Sequence, residues 1–244
     1  MRGWLMQTKV EILRIFRNPY FVFWSLFMPI VFYFVFTNIF NTGMGDSWNS
    51  RFLMSVTCFS VMGTSILTLG IRLVEEKAHG WSNLMRTTPL SSSVYFSAKM
   101  VGQTIIHICS VAIIFVVGAV INGVDLSVWQ WLTSALWILI GALPFLAIGT
   151  IIGAMNKVET AAGISNFFYM VLAFMGGLFM PIEVLPSIFK SIAKAIPSYH
   201  YGAGVWEITE GGTPSLLNIA VLAGYFLLFV VLSIYIRRKQ EVVV

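Results

Sequence analysis

Glu75 and Glu76 open the stretch of this 244-residue chain in which charged, aromatic and helix-breaking residues crowd together. Lys77, His79, Gly80, Trp81, Leu84, Met85, Arg86, Thr87 and Pro89 follow before residue 90. Such a set suits binding. Gly80 interrupts the segment, and Trp81, Leu84 and Met85 then form an apolar turn beside Arg86, which Pro89 stops. A short amphipathic turn can lie in a groove of a soluble partner. It can equally lie flat on lipid, and spacing alone leaves both open. Catalysis would need a carboxylate pair, a Ser–His pair or a metal set in one place. The chain has no H-E-x-x-H, no G-x-S-x-G and no zinc-ligand spacing, so no catalytic or metal-binding residue is expected. It also lacks G-x-x-x-x-G-K-S/T, the loop that cradles nucleotide phosphates.

The elements around this island are set by composition. Hydrophobic residues make up 58% and charged residues 10%, against about 25% charged in soluble domains. A soluble fold would lack polar surface to cover itself, so the chain is read as integral to a bilayer. The expected fold is all-α, a single transmembrane domain over 1–244 with no ATPase domain. Residues 1–19 are expected to form an interfacial helix. Six spans are expected at 20–40, 52–74, 97–121, 131–155, 161–180 and 216–236, each about as long as the hydrocarbon core is thick. Pro29 and Pro144 fall inside spans and are expected to kink them. The first residues do not read as a cleavable signal peptide, since Lys9, Glu11, Arg14 and Arg17 interrupt the segment.

Charge gives the orientation. With six spans both ends lie on one side, which then holds twelve of the fifteen basic residues. Only Arg51, Lys190 and Lys194 lie on the other. Basic loops face inward, so both termini and the island are expected in the cytoplasm. The net charge of +5 is accounted for at the inner boundary beside anionic headgroups, without nucleic acid.

In the N-terminal segment Leu5, Ile12 and Phe16 share a helix face flanked by Trp4 and Leu13, with Gln7, Glu11, Arg14 and Arg17 opposite. That pattern suits a helix lying in the headgroup layer; a basic tail anchoring the first span is the plainer alternative. Asn18-Pro19 marks its end. The span interiors carry no Asp, Glu, Lys or Arg, so ion-coupled transport is poorly supported. His107 is expected to be a packing residue, and Cys58 and Cys109 to be packed thiols. If the chain moves a substrate uphill, the energy must come from another polypeptide.

The order Glu76, Gly80, Leu84, Arg86, Thr87, Pro89, Leu90, Ser91, Tyr95, Lys99 resembles the signature after the second span of ABC-2 type permeases, the membrane subunits of type V ABC exporters. A second block agrees: Gly176-Gly177-Leu178-Phe179-Met180-Pro181, then Leu185-Pro186, Ile196-Pro197 and Tyr201-Gly202 resembles that family's segment after span five. The resemblance implies two permease units, a second copy or a related chain, paired in the membrane lipid. It implies two cytoplasmic P-loop ATPase subunits beneath them, which bind the ATP and Mg; this chain itself would hold no cofactor. The island becomes the coupling helix, with Glu75, Glu76, Gly80, Trp81, Leu84, Arg86, Thr87 and Pro89 in the ATPase contact. Spans two and five would frame the substrate route and the permease interface, through Phe59, Met62, Asn166, Met170, Phe174, Gly176 and Gly177. A re-entrant outer segment around Pro181, Leu185, Pro186 and Pro197 would cap the exit; an interfacial surface helix is the alternative. The small residues Gly163, Ala173, Gly176 and Gly177 permit close approach, either to the partner permease or to span two of the same chain.

A route without buried charge favours an amphiphilic or hydrophobic cargo: a drug or antibiotic, a peptide, or a lipid-like molecule. The expected location is a cell membrane, a bacterial plasma membrane. A membrane-embedded enzyme, a passive channel and a non-transporting scaffold are the rival readings. Co-purification with a P-loop ATPase separates them from an exporter.

Overall fold

A computed structural model describes residues 2–17, 19–39, 45–81, 87, 92–179, 182 and 186–242. The described elements are helical, and no strand occurs among them. Helix α1 (Arg2–Phe16) leads into α2 (Pro19–Phe34), which continues as a π-helical stretch, Val35–Ile39. Next, α3 (Gly45–Gly63) passes through a second π-helical stretch (Thr64–Thr68) into α4 (Leu69–Ala78). Then come α5 (Ser92–Asn122), α6 (Val128–Gly141), α7 (Leu143–Ile152) and α8 (Val158–Met175). Two short helices, α9 (Ser187–Ala193) and α10 (Pro197–Thr209), precede the long α11 (Leu216–Val242).

Among the described residues five helices are long and apolar enough to cross a membrane: Ser47–Ala78, Val94–Asn122, Val128–Ile152, Val158–Met175 and Leu216–Lys239. The expected first span lies in the continuous helix over 19–39, whose stretch Phe27–Ile39 is apolar but shorter than that length. The expected bounds shift where backbone chemistry dictates. The helix expected to end at 180 stops at Met175, because Gly177 adopts φ +74°, a left-handed conformation that costs glycine little. The span expected over 131–155 breaks at Ala142, where α6 ends and Pro144 enters the first turn of α7. That break lies two residues before Pro144, whose ring cannot accept the normal helical hydrogen-bond pattern.

Ser47–Ala78 is the centre of the bundle. Its most apolar window is 89% buried, against 11% for Leu216–Lys239. Its hydroxyls bond inward to its own carbonyls, as Thr57 Oγ1 does to Leu53 O (2.7 Å) and Ser65 Oγ to Val61 O (2.7 Å). A helix rich in Ser and Thr can thus be buried without orphaned donors at those positions. Around it pack α2, α5, α7, α8 and α10.

Helix α10 was not legible as an element, yet it is nearly all buried. Tyr201 donates to Ile138 O (2.8 Å), Trp206 Nε1 to Ser55 Oγ (2.8 Å), and Trp137 Nε1 to Tyr201 O (2.9 Å). A Cβ on Gly204 would stand 2.2 Å from Trp137, so glycine is what lets α6 and α10 meet. One side chain serves both helices. Gln130 completes the capping box of α6 with Ser127, while its Nε2 donates to Ile208 O (3.2 Å) and Thr209 O (3.1 Å) at the end of α10.

Candidate functional site

The island is built on the end of α4. The helix closes through His79 N to Glu75 O (2.9 Å) and Gly80 N to Lys77 O (3.1 Å), and Gly80 takes φ +74°. This is a glycine-terminated helix end, and a side chain at Gly80 would strain it. Glu75, Ala78, His79 and Thr87 are exposed. Trp81 is only half-buried and packs with Leu69, Leu73, Tyr95 and Leu146 of its own chain. Part of the Trp81 ring, expected in the ATPase contact, is thus packed against its own chain. Leu84, Arg86 and Pro89 lie outside the described residues, as do Pro181 and Leu185 of the outer segment.

Glu76 turns the other way. It is 4% exposed and accepts from Lys99 Nζ (2.7 Å), Arg14 Nη1 (2.5 Å) and the Tyr95 hydroxyl. Lys99 Nζ also donates to Glu11 Oε1 (2.8 Å), and Arg72 Nη2 to Glu11 Oε2 (3.1 Å). Three cations and two carboxylates from α1, α4 and α5 thus form one cluster. Buried charges persist only when paired and hydrogen-bonded, and here each carboxylate has at least two partners. The reason is visible in α1. Its polar side, Gln7, Thr8 and Glu11, is buried, while Leu5, Met6, Val10 and Leu13 are exposed. Gln7, Thr8 and Glu11 of the polar side pack on protein, while Arg14 and Arg17 of that side remain exposed. Sequence reasoning missed Glu11 and Lys99 as partners because 88 residues separate them.

The same end of the bundle gathers further cations. Lys77 Nζ donates to Asn156 Oδ1 (2.7 Å) in the loop between α7 and α8, and Arg237 Nη2 to Thr150 O (2.8 Å). Arg51, Lys190 and Lys194 stand among the elements of the opposite end, around α9 and α10.

The residues anticipated for a substrate route separate into two groups. Phe59 and Met62 are core: Phe59 stacks on Tyr169 at 4.5 Å and meets Phe179 edge-on at 4.6 Å, and Met62 is fully buried. Gly176 and Gly177 also turn inward. A Cβ on Gly176 would stand 2.4 Å from Ser198 Oγ of α10 in the same chain. By contrast, Asn166, Phe167, Met170 and Phe174 line an exposed face of α8. Pro186 is exposed, and Pro197 is buried at the first turn of α10.

A buried polar group sits in mid-bundle. Gln103 Nε2 donates to Thr64 O (3.2 Å) in the π-helical stretch, and His107 Nε2 lies 3.2 Å from Ser65 Oγ. The histidine therefore packs on the π-helical stretch of the central helix. Among the described residues no group of three His, Cys, Asp or Glu side chains could hold a metal ion.

Comparison with known proteins matches this architecture to one family. The model of the ABC-2 type transporter family matches residues 4–208. The chain is 55% identical over 239 residues to "Putative transport permease YvfS" of Bacillus subtilis (strain 168), covering 97% of this chain and 98% of the relative. It is 23% identical over 231 residues to "Daunorubicin resistance ABC transporter permease protein DrrB1" of Streptomyces coeruleorubidus, covering 88% of this chain and 78% of the relative. A helical bundle built for the bilayer, matched over nearly its whole length by that family's model, is a membrane transporter subunit: the chain belongs to the ABC-2 type transporter family.

Proposed function

We propose that this chain is the permease of an ATP-driven exporter, powered by two separate cytoplasmic P-loop ATPase subunits that carry the ATP and Mg. The observation that carries the reading is the mounting of the island. Glu76 is locked into the cluster with Arg14, Lys99 and Tyr95, while Glu75, Ala78 and His79 beside it stay exposed. A helix end held from behind by charge-assisted bonds can transmit a push; a loosely lipid-bound one cannot. Both termini and this end of the bundle face the cytoplasm, in keeping with the basic side chains gathered there.

Two permeases, identical or related, pair through the outward face of α8. An amide such as Asn166, midway along an apolar helix, is unfavourable against lipid and favourable against a partner helix. The cargo is amphiphilic or hydrophobic and moves outward. The drug-resistance relative supports that class, since its printed name ties it to daunorubicin resistance.

The test is Ala78→Asp, an exposed position at the end of α4. The charge should leave the fold intact but detach the ATPase. A truncated hot spot costs about 2 kcal/mol or more, roughly thirtyfold in affinity, and a misplaced charge should cost no less. The expected result is an unchanged melting temperature with lost ATPase co-purification and lost transport. A full-strength ATPase complex with full transport would replace this reading by the lipid-surface one.

A further inference from the structure

We propose that the outward face of α1 is a docking surface for anionic phospholipids of the inner leaflet: Lys9 and Arg17 hold their phosphates while Leu5, Met6, Val10 and Leu13 lie against their acyl chains. The contact needs neither cargo nor an ATPase; only its placement on the inner leaflet follows from the proposed orientation.

The helical period sets this face. Successive residues turn about 100° around the axis. Lys9 therefore falls between Leu5 and Leu13, and Arg17, just past the last turn, falls between Met6 and Val10. All six are exposed, the four aliphatic side chains by 51–70%. Gln7, Thr8 and Glu11 occupy the buried side. Two cations set among long apolar side chains suit a phospholipid, which joins an anionic head to an apolar body. The stems of lysine and arginine run along apolar surface while their charged ends reach the headgroups. Lys9 and Arg17 lie about 12 Å apart along the axis, so they meet neighbouring headgroups.

The chain itself offers these two cations no counter-charge. Glu11 is the one acidic residue of α1, and it turns inward onto Lys99 and Arg72. Helices α2 and α5, which pack against α1, contain no Asp or Glu. Glu76 reaches α1 from α4, and there it takes Arg14. Among the described residues the ion pairs at this end of the bundle use Arg14, Arg72 and Lys99, not Lys9 or Arg17. Helix α2 has no charged residue and begins at Pro19, two residues after Arg17. The exposed face therefore stands at the membrane boundary, where headgroups supply the missing negative charge.

Lipid on one face and the charge cluster on the other hold α1 from both sides. Arg14 stands at the edge between them: its Nη1 is on Glu76, and its side chain is 51% exposed. A basic side chain beside an anionic surface strengthens association about fivefold, the equivalent of about 1 kcal/mol. Lys9 and Arg17 together therefore give a preference of roughly thirtyfold for an anionic over a zwitterionic lipid.

The experiment uses the full chain in vesicles with the same lipids in both leaflets. Met6→Cys, the most exposed of the four aliphatic positions, carries a bimane label, and the unsubstituted chain is the blank for Cys58 and Cys109. Phosphatidylglycerol brominated high on its acyl chain is compared as a quencher with phosphatidylcholine brominated at the same place, each as a minor component in plain phosphatidylcholine. Phosphatidylglycerol should quench at a lower lipid fraction, by up to roughly thirtyfold. In Lys9→Gln/Arg17→Gln the two lipids should quench alike, with the melting temperature unchanged. Each single substitution should lower the preference about fivefold, which keeps the test open if the pair fails to fold. A label at Leu136→Cys, exposed on α6, should show no preference. Excess inorganic phosphate, compared with chloride at equal ionic strength, should leave the preference in place. Equal quenching by the two lipids at Met6→Cys, no quenching there by either, a preference that survives in Lys9→Gln/Arg17→Gln, or its loss to free phosphate would each overturn the docking surface.

Discussion

Lys99→Met removes the cation that joins α1 to α4. In the parent, Lys99 Nζ bridges Glu11 at 2.8 Å and Glu76 at 2.7 Å, with its side chain 3% exposed. Methionine keeps much of the volume and none of the charge. Two carboxylates, each 4% exposed, are then left with one arginine apiece: Arg72 on Glu11 at 3.1 Å and Arg14 on Glu76 at 2.5 Å. Breaking a buried ion pair by removing one partner costs about 3–5 kcal/mol, and the two remaining arginines bring the expectation to the low end, about 3 kcal/mol. For a chain of this size that corresponds to a melting temperature lower by roughly 6–12 °C. The assay is thermal unfolding of the purified permease in detergent. Its internal control is the double variant Glu11→Gln/Lys99→Met. Neutralising Glu11 leaves Arg14, Arg72 and Glu76, so one carboxylate no longer lacks its cation. The double variant should melt higher than Lys99→Met alone by about 1 kcal/mol or more, a non-additivity typical of groups in one network. A Lys99→Met chain melting within about 2 °C of the parent would refute the reasoning. So would a double variant no better than the single one, because the cluster would then not be a cooperative unit.

The glycines of α8 and its end give a matched contrast. Gly176→Ala would drive a Cβ against Ser198 Oγ at 2.4 Å and break its bond to Leu172 O, so a loss of about 1–3 kcal/mol is expected in the melt; Gly163, with nothing within 4 Å, should accept alanine and gain up to about 1 kcal/mol. Gln103→Leu should cost about 1 kcal/mol by withdrawing the amide from Thr64 O, and an unchanged melting curve would show that the π-helical carbonyl does not need it.

Much of the fold can be read along the chain because the bilayer rewards one simple property. A helix must keep apolar residues in register with the hydrocarbon for about its full thickness, and runs such as 97–121 and 216–236 do so without ambiguity. Helix ends are also local chemistry: α2 begins at Pro19, and Gly80 closes the end of α4, whatever lies around them. Composition and the two motif blocks therefore carry the membrane class and the family. Sidedness within the bundle is another matter. Lipid tails are as apolar as a protein core, so the pattern that marks a buried face in a soluble protein marks nothing here. Phe59 and Phe174 look alike in sequence, yet the first is stacked on Tyr169 inside the chain and the second is exposed. The same ambiguity hid α10, whose Tyr-His-Tyr-Gly-Ala-Gly run is too mixed for a span. It is buried because Trp137, Ser55 and Ile138 of other helices meet its polar atoms. Helix α1 shows the limit most plainly. Its amphipathic pattern was legible, but its polar face finds its partners 61 to 88 residues away, at Arg72, Glu76 and Lys99. Charges seek counter-charges across the bundle once water is excluded, and that pairing exists only when the helices have come together.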